Sequence, residues 1–158
     1  MTREEFTSHL RDVQEPLRRF LLSLCEGDSF TADDIAQDSC MKAYLAIDRF
    51  RGDSRFSTWI FRIAYNTWCN RKYERKVSSL ENLNSTSIPD EAGADDTFRY
   101  QSLYQAISSL KPNEKAAILL FYMEDKSIKE ISSIMEVPTG TVKSLLSRGR
   151  ANLKIKIE

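Results

Sequence analysis

Apolar residues return every three or four positions through almost all of this 158-residue chain. An α-helix satisfies that period and a strand does not. Phe6, Leu10, Val13, Leu17, Phe20, Leu21 and Leu24 trace one such face, which ends near Gly27. Thr31, with Asp34 three residues on, predicts a capped second helix running to about Ile47. Residues 49–57, RFRGDSRFS, gather Gly, Asp and Ser and predict a loop, and a third helix follows from about Thr58 to Lys76. Five Gly and four Pro leave little turn material for a β fold, so the expected class is all-α.

The stretch after Lys76 changes character: VSSLENLNSTSIPDEAGADD is rich in Ser, Asn, Asp and Glu, with Pro89 and Gly93. It reads as a flexible linker, too long for a loop inside a compact domain. The expected organisation is therefore a helical domain over 1–76, a linker over 77–97 and a second helical domain over 98–158. In the second domain, Phe98, Leu103, Ile107 and Leu110 mark one helix and Pro112 opens the next. Ser127 and Glu130 form a capping box for a short helix through Ile131, Ile134 and Met135. Glu136-Val-Pro138 breaks it, and a last helix runs from about Thr139 toward Ile155. Two helices joined by a turn of about four residues have helix-turn-helix spacing.

Several functions are excluded by what the chain lacks. No 18-residue apolar run occurs, so no membrane span is expected, and the N-terminus MTREEFTSHL lacks the apolar core of a secretory signal. The expected location is the cytoplasm. Cys25, Cys40 and Cys69 are scattered and His9 is the single histidine, which predicts reduced, mostly buried thiols and neither a metal site nor a cofactor. Asp33, Asp34 and Asp38 share a helix, but no His or Cys accompanies them, so no catalytic constellation is expected.

The net charge of zero hides an alternation. Residues 1–34 carry 4 basic and 8 acidic side chains, 35–76 carry 9 and 4, 77–100 carry 1 and 5, and 101–158 carry 9 and 6. Screening confines each acidic block to about a Debye length, so each basic block can neutralise phosphates locally.

Both basic blocks have the chemistry to use that charge. On the last helix Val142, Leu146, Gly149 and Leu153 share one face, with Leu145 at its edge. Lys143, Ser144, Ser147, Arg148, Arg150 and Ala151 face the other way, and residues 143–156 hold five basic side chains and no acid. Hydroxyls and long cations suit the edges and phosphates of a duplex major groove. Thr139, Gly140 and Thr141 offer backbone N–H groups at the positive end of the helix dipole, where a phosphate can sit. On the third helix, Trp59, Ile60, Ile63, Ala64 and Thr67 supply a buried stripe, which leaves Phe61, Arg62, Tyr65, Asn66, Cys69, Lys72 and Tyr73 pointing elsewhere. Aromatics interleaved with cations suit single-stranded nucleic acid, because rings stack on unpaired bases for about 1–3 kcal/mol each. Phe50, Arg51, Arg55 and Phe56 add to that set from the loop, although Phe56 and Trp59 read more simply as core.

At this point the motifs resemble a known family. Residues 32–76, ADDIAQDSCMKAYLAIDRFRGDSRFSTWIFRIAYNTWCNRKYERK, are similar to the second conserved region of extracytoplasmic-function sigma factors. The stretch LKPNEKAAILLFYMEDKSIKEISSIMEVPTGTVKSLLSRGRANLK resembles their fourth region. The resemblance implies an alternative sigma factor, not an enzyme, that binds core RNA polymerase and promoter DNA. It implies docking of Asp34, Gln37, Asp38 and Met41 onto the β′ clamp helices, and contact of the fourth region with the β flap. Phe50, Arg51, Arg55, Phe56, Arg62, Tyr65, Asn66 and Lys72 would read the −10 element and hold a flipped base. Thr139, Gly140, Thr141, Lys143, Ser144, Ser147 and Arg148 would read the −35 element as duplex. An anti-sigma factor, often membrane-anchored in the family, would be a further partner, and the free chain is expected to be a monomer with two mobile domains. Two positions depart from the family pattern: Leu145, where Arg is frequent, and Gly149, where Ala is frequent. The expectation from these is a lost DNA contact and a weaker helix.

Three other readings remain open on sequence alone. An ordinary helix-turn-helix regulator would bind duplex without polymerase but leaves residues 50–73 unexplained. A nucleic-acid hydrolase lacks its reactive groups, and a pure interaction module has no use for a basic last helix.

Overall fold

A computed structural model describes the backbone of residues 1–79 and 97–157, with side chains described over 1–77 and 101–154. The linker expected over 77–97 therefore falls almost wholly outside the described residues. Seven α-helices and no strand occur among those described: α1 (Arg3–Leu24), α2 (Ser29–Leu45), α3 (Phe56–Ser79), α4 (Thr97–Ser108), α5 (Pro112–Ile118), α6 (Ile128–Met135) and α7 (Thr139–Ile157). A 3-10 turn, Ile47–Arg49, follows α2, and a π-helical turn, Leu119–Met123, extends α5.

Helix ends follow from local chemistry. Thr2 caps α1 and Glu5 reaches back to the Thr2 amide, a reciprocal box that leaves neither donor unpaired. At its other end Glu26 takes a left-handed φ of 57°, and Gly27 N–H donates to the Leu22 carbonyl. The end of α1 near Gly27 is thus a Schellman motif with glutamate in the left-handed position. The cap of α2 differs from the sequence expectation. Asp28, not Thr31, is the cap residue: its carboxylate accepts from the Thr31 amide at 3.2 Å and from the Thr31 hydroxyl at 2.6 Å. A carboxylate at a helix N-terminus satisfies an orphan N–H and opposes the dipole at once, so it outcompetes the hydroxyl three residues later. α3 starts two residues before the expected Thr58 and continues past Lys76.

The first three helices close on one another around Phe20, Leu21, Leu24, Ile35, Ile60 and Ala64, all at most 2% exposed. Ion pairs fasten their rims: Arg18 to Asp33 joins α1 to α2, and Arg71 to Asp34 and Asp38 joins α3 to α2. In the second domain α7 lies across α4, α5 and α6, with Val142, Leu145 and Leu146 buried beneath it. The two groups of helices do not stand apart. α3 packs on α6 and α1 on the π-helical turn, so one apolar cluster runs through both. The expectation of two independently mobile domains is not what the structure shows.

The hydrogen bonds from Thr31 hold the Asp28 carboxyl below its ordinary range near 3.8. A depressed folded-state pKa means stability that is present above about 3.8 and lost as pH falls through the folded value. Asp28→Ala should cost about 1 kcal/mol at neutral pH in urea unfolding, more than Thr31→Ala, and the gap to wild type should narrow below pH 3.8.

Candidate nucleic-acid interface

The helix-turn-helix is built by α6, its turn and α7. Ser127 caps α6, accepting from the Glu130 amide at 3.1 Å. Glu136 ends it with φ 56°, and Pro138, whose carbonyl accepts from the Val142 amide, starts α7. Burial of Val142, Leu145 and Leu146 fixes the rotation of α7. Lys143, Ser144, Ser147 and Arg148 are then exposed together along its other face and border an open hollow. Thr139 and Gly140 are exposed at the helix N-terminus, and Thr141 is half-buried.

The two departures from the family pattern have structural causes. Leu145 is 1% exposed, so it is a core residue and forfeits no DNA contact. Gly149 lets α7 cross α5 closely, since a Cβ there would stand 2.7 Å from Ile118 Cγ1. Arg150 is less available than its place on the outer face suggested: its guanidinium lies 5.7 Å and 5.6 Å from the Phe121 and Tyr122 rings and donates to the Tyr122 hydroxyl.

The loop and α3 divide differently from the sequence reading. Arg51 and Arg55 are exposed. Phe56 is 7% exposed, with Phe6, Phe50, Trp59 and His9 around it at centroid distances of 5.2–6.0 Å. It is a core ring rather than an exposed one, and it anchors the half-buried Phe50. Along α3 the face expected in solvent is covered in part, with Asn66, Lys72 and Tyr73 still exposed. Phe61, Tyr65 and Trp68 are 1%, 9% and 6% exposed. Arg62 donates through Nε to the Ser133 carbonyl at 2.8 Å and through Nη2 to the Ser133 hydroxyl. Asn66 donates to Glu136 at 3.3 Å. Burial pushes the Tyr65 phenol well above its ordinary pKa, with Cys69 beside it adding to the shift. Lys72 is exposed at the margin, 5.2 Å from the Trp68 ring, its pKa lowered by partial burial and by the nearby Lys115 charge. The physical reason is α6, which lies on a side of α3 that its periodicity alone left unpartnered, together with Phe20 of α1 against the Phe61 ring.

A third surface lies on α2. Asp34, Gln37 and Met41 are exposed and Asp38 half-buried. Burial pushes the Asp38 carboxyl upward, but the Arg71 hydrogen bond and the Lys42 charge outweigh it, and its pKa falls below the ordinary value. Phe30 at 85% and Leu45 at 77% exposure extend this stripe, with Met41 at 64% between them. Sequence reasoning missed both, although Phe30, Asp34, Gln37, Met41 and Leu45 recur at helical spacing.

No group of His, Cys, Asp or Glu among the described residues could hold a metal. The three thiols are half-buried, and burial raises the Cys25 pKa to about 11 and the others in the same direction. Such thiols are poor nucleophiles.

A helix-turn-helix joined to a basic-aromatic helical domain is the equipment of a promoter-binding initiation factor, and comparison with known proteins agrees. Sigma-70 region 2 matches residues 6–76 and sigma-70 region 4 matches residues 100–153. The ECF RNA polymerase sigma-E factor of Salmonella typhimurium is 35% identical over 140 residues, covering 79% of this chain and 73% of that protein. The ECF RNA polymerase sigma factor SigW of Bacillus subtilis is 32% identical over 161 residues, covering 90% and 86%. Among solved structures, the chain superimposes on one in the co-crystal structure of the sigma factor RpoE in complex with the anti-sigma factor NepR from Bartonella quintana. That match has a TM-score of 0.82 at 28% identity, over 98% of this chain and 97% of that one. CnrH in complex with the cytosolic domain of CnrY shares the fold, with a TM-score of 0.73 at 18% identity over 99% and 89%. The chain belongs to the ECF sigma factors of the sigma-70 superfamily. It is an alternative sigma factor that directs RNA polymerase to promoters, and it is not itself an enzyme.

The close α5–α7 crossing makes a counterintuitive substitution informative. Gly149→Ala improves helix propensity by about 1 kcal/mol, yet displacing Ile118 should cost about 1–3 kcal/mol. A lower urea midpoint than wild type is the expected result.

Proposed function

We propose that promoter work is divided among three surfaces of this chain. The α2 stripe, through Asp34, Gln37, Asp38 and Met41 and extended by Phe30 and Leu45, docks onto the β′ clamp helices. The loop and α3, through Phe50, Arg51, Arg55, Arg62, Tyr65, Asn66 and Lys72, take up the −10 element of the non-template strand, with a flipped base held near the loop. Phe56 serves this surface from the core by supporting Phe50. The α7 face, through Lys143, Ser144, Ser147 and Arg148 and the amides at Thr139, Gly140 and Thr141, reads the −35 element as duplex. The second domain also meets the β flap, and residues 77–97 pass toward the RNA exit path.

The observation that carries this reading is the α7 face. Four polar or cationic side chains stand exposed in a row on a helix whose opposite side is buried, with the helix N-terminus open beside them. Such a helix can enter a major groove N-terminus first. Core polymerase supplies the remaining cationic surface, which fits a net charge of zero. The site of action is the cytoplasm, and none of the described helices is long and apolar enough to cross a membrane. The sigma factor RpoE is described in complex with the anti-sigma factor NepR. By that likeness an anti-sigma factor, membrane-anchored or free, restrains the present chain, which is otherwise a monomer.

Run-off transcription from fragmented host DNA, with purified chain and sigma-free core polymerase, tests the reading. Discrete transcripts that need both components are expected, and their absence would overturn it. Arg148→Ala should weaken binding to the −35 element by about 1–3 kcal/mol. Tyr65→Ala should spare initial duplex binding and reduce permanganate-detected melting, and unchanged melting would remove Tyr65 from the −10 surface.

A further inference from the structure

His9, the chain's single histidine, lies outside the three surfaces assigned to promoter work. It stands on α1 three residues after the buried Phe6, and its own side chain is exposed. Its imidazole rests on the Phe56 ring at a centroid distance of 5.2 Å and an interplanar angle of 26°. The other rings around Phe56 meet it more steeply: Phe6 at 84°, Phe50 at 78° and Trp59 at 57°. An edge-on contact sets the rim of one ring into the face of another, whereas a near-parallel one leaves the outer ring with a flat face turned away from its partner. Among the described residues no second ring lies on His9, and neither imidazole nitrogen has a hydrogen-bond partner.

The neighbours of this ring give it a use. Phe56 opens α3 and meets the ring of Phe50, so these two residues bound the loop assigned to the −10 strand. Phe50 is half-buried and also leans on Trp59, at 5.0 Å. Phe56 is thus shared between Phe50 of the loop and His9 of α1, which brings His9 to the edge of the loop from another helix. Arg51 and Arg55, both exposed within the loop, supply cations for the phosphates of a strand lying there. Covering Phe56 does not by itself call for histidine, since leucine would bury more apolar area in the same place. A polar flat ring is the better choice where one face must stay open to water until an apolar, planar group arrives.

We propose that His9 is a further DNA-contacting residue: the outer face of its imidazole stacks on an unpaired base of the −10 strand, in a column of Phe56, His9 and base. The occupant is a single-stranded nucleotide, because in a duplex both faces of a base are already covered by its neighbours. Every base has a π-face, so the stack strengthens capture of the strand without choosing its sequence. Selection stays with the other −10 residues. Extruding a base sacrifices its stacking in the duplex, and a new stack on His9 offsets part of that loss. This rests on the −10 assignment above and extends that surface from the loop and α3 onto α1.

The test uses holoenzyme, assembled from core polymerase and this chain, and a forked DNA probe with a duplex −35 element and a single-stranded −10 element. The probe takes its sequence from a promoter found by run-off transcription. His9→Leu keeps an apolar cover on Phe56 but removes the flat ring. It should bind the forked probe about fivefold or more weakly, the low end of losing one base–aromatic stack. His9→Phe restores a flat ring and should bind within about twofold of wild type. Both variants should keep the wild-type urea midpoint and the wild-type affinity for a duplex that carries the −35 element alone. His9→Leu binding the forked probe like wild type would overturn the proposal. So would an equal loss in His9→Leu and His9→Phe, or a loss accompanied by a lower urea midpoint, since those are the marks of a role in folding. Arg51→Ala with Arg55→Ala, two exposed loop residues, is the control for the −10 reading. If that double variant binds the forked probe like wild type, the −10 reading fails and His9 with it. If it binds weakly while His9→Leu does not, the His9 proposal alone is wrong.

Discussion

Helix α3 is packed from two directions, and the rest of the molecule is arranged around that. Its inner side, with Ile60, Ala64 and Thr67, completes the core shared with α1 and α2. Its other side meets α6 through Arg62 and the residue after that helix, Glu136, through Asn66, while the Phe61 ring lies against Phe20 of α1 and the Trp68 ring near Lys115 of α5. Parting α3 from the second domain would uncover part of that side, Tyr65 and Trp68 included, to water. At about 1.5–3 kcal/mol for a fully buried large apolar side chain, that is a sizeable driving force for keeping the domains together.

The polar contacts between the two groups of helices set the specificity of their packing. Bidentate Arg19–Glu124 is the best-shaped of them, with the carboxylate almost wholly buried against an arginine that still meets solvent. Lys115 is buried more deeply and has both a carbonyl and a carboxylate within reach, an arrangement that compensates a desolvated ammonium. Removing one partner from such a pair is more harmful than never having had it, which favours one docking register over sliding alternatives. In the second domain the constraint is steric instead. Gly149 against Ile118 sets how closely α7 approaches α5, and hence how far the Lys143–Arg148 row projects.

Much of this was legible in the chain. Helical periodicity placed all seven helices, because a buried stripe repeating at 3.6 residues is a property of each segment taken alone. Ser127 and Glu130 marked the start of α6, and Glu136-Val-Pro138 its break before α7, through local backbone chemistry. Capping was less legible where two residues competed: Thr31 has the right spacing, but Asp28 has the charge. Phe30 and Leu45 were passed over because an exposed apolar residue leaves the same trace in a sequence as a buried one.

The sequence by itself determined the helices, the helix-turn-helix and the family, since these depend on contacts between residues near in the chain and on motifs read in order. It also determined the outward row on α7, because burial of Val142 and Leu146 fixes the rotation of that helix whatever lies beyond. Only the tertiary structure decided the fate of the α3 face. Its partners, Ser133 and Glu136, lie 71 and 70 residues away from Arg62 and Asn66. A pairing over that distance is selected by shape and charge complementarity between finished helices, and periodicity within α3 carries no information about it.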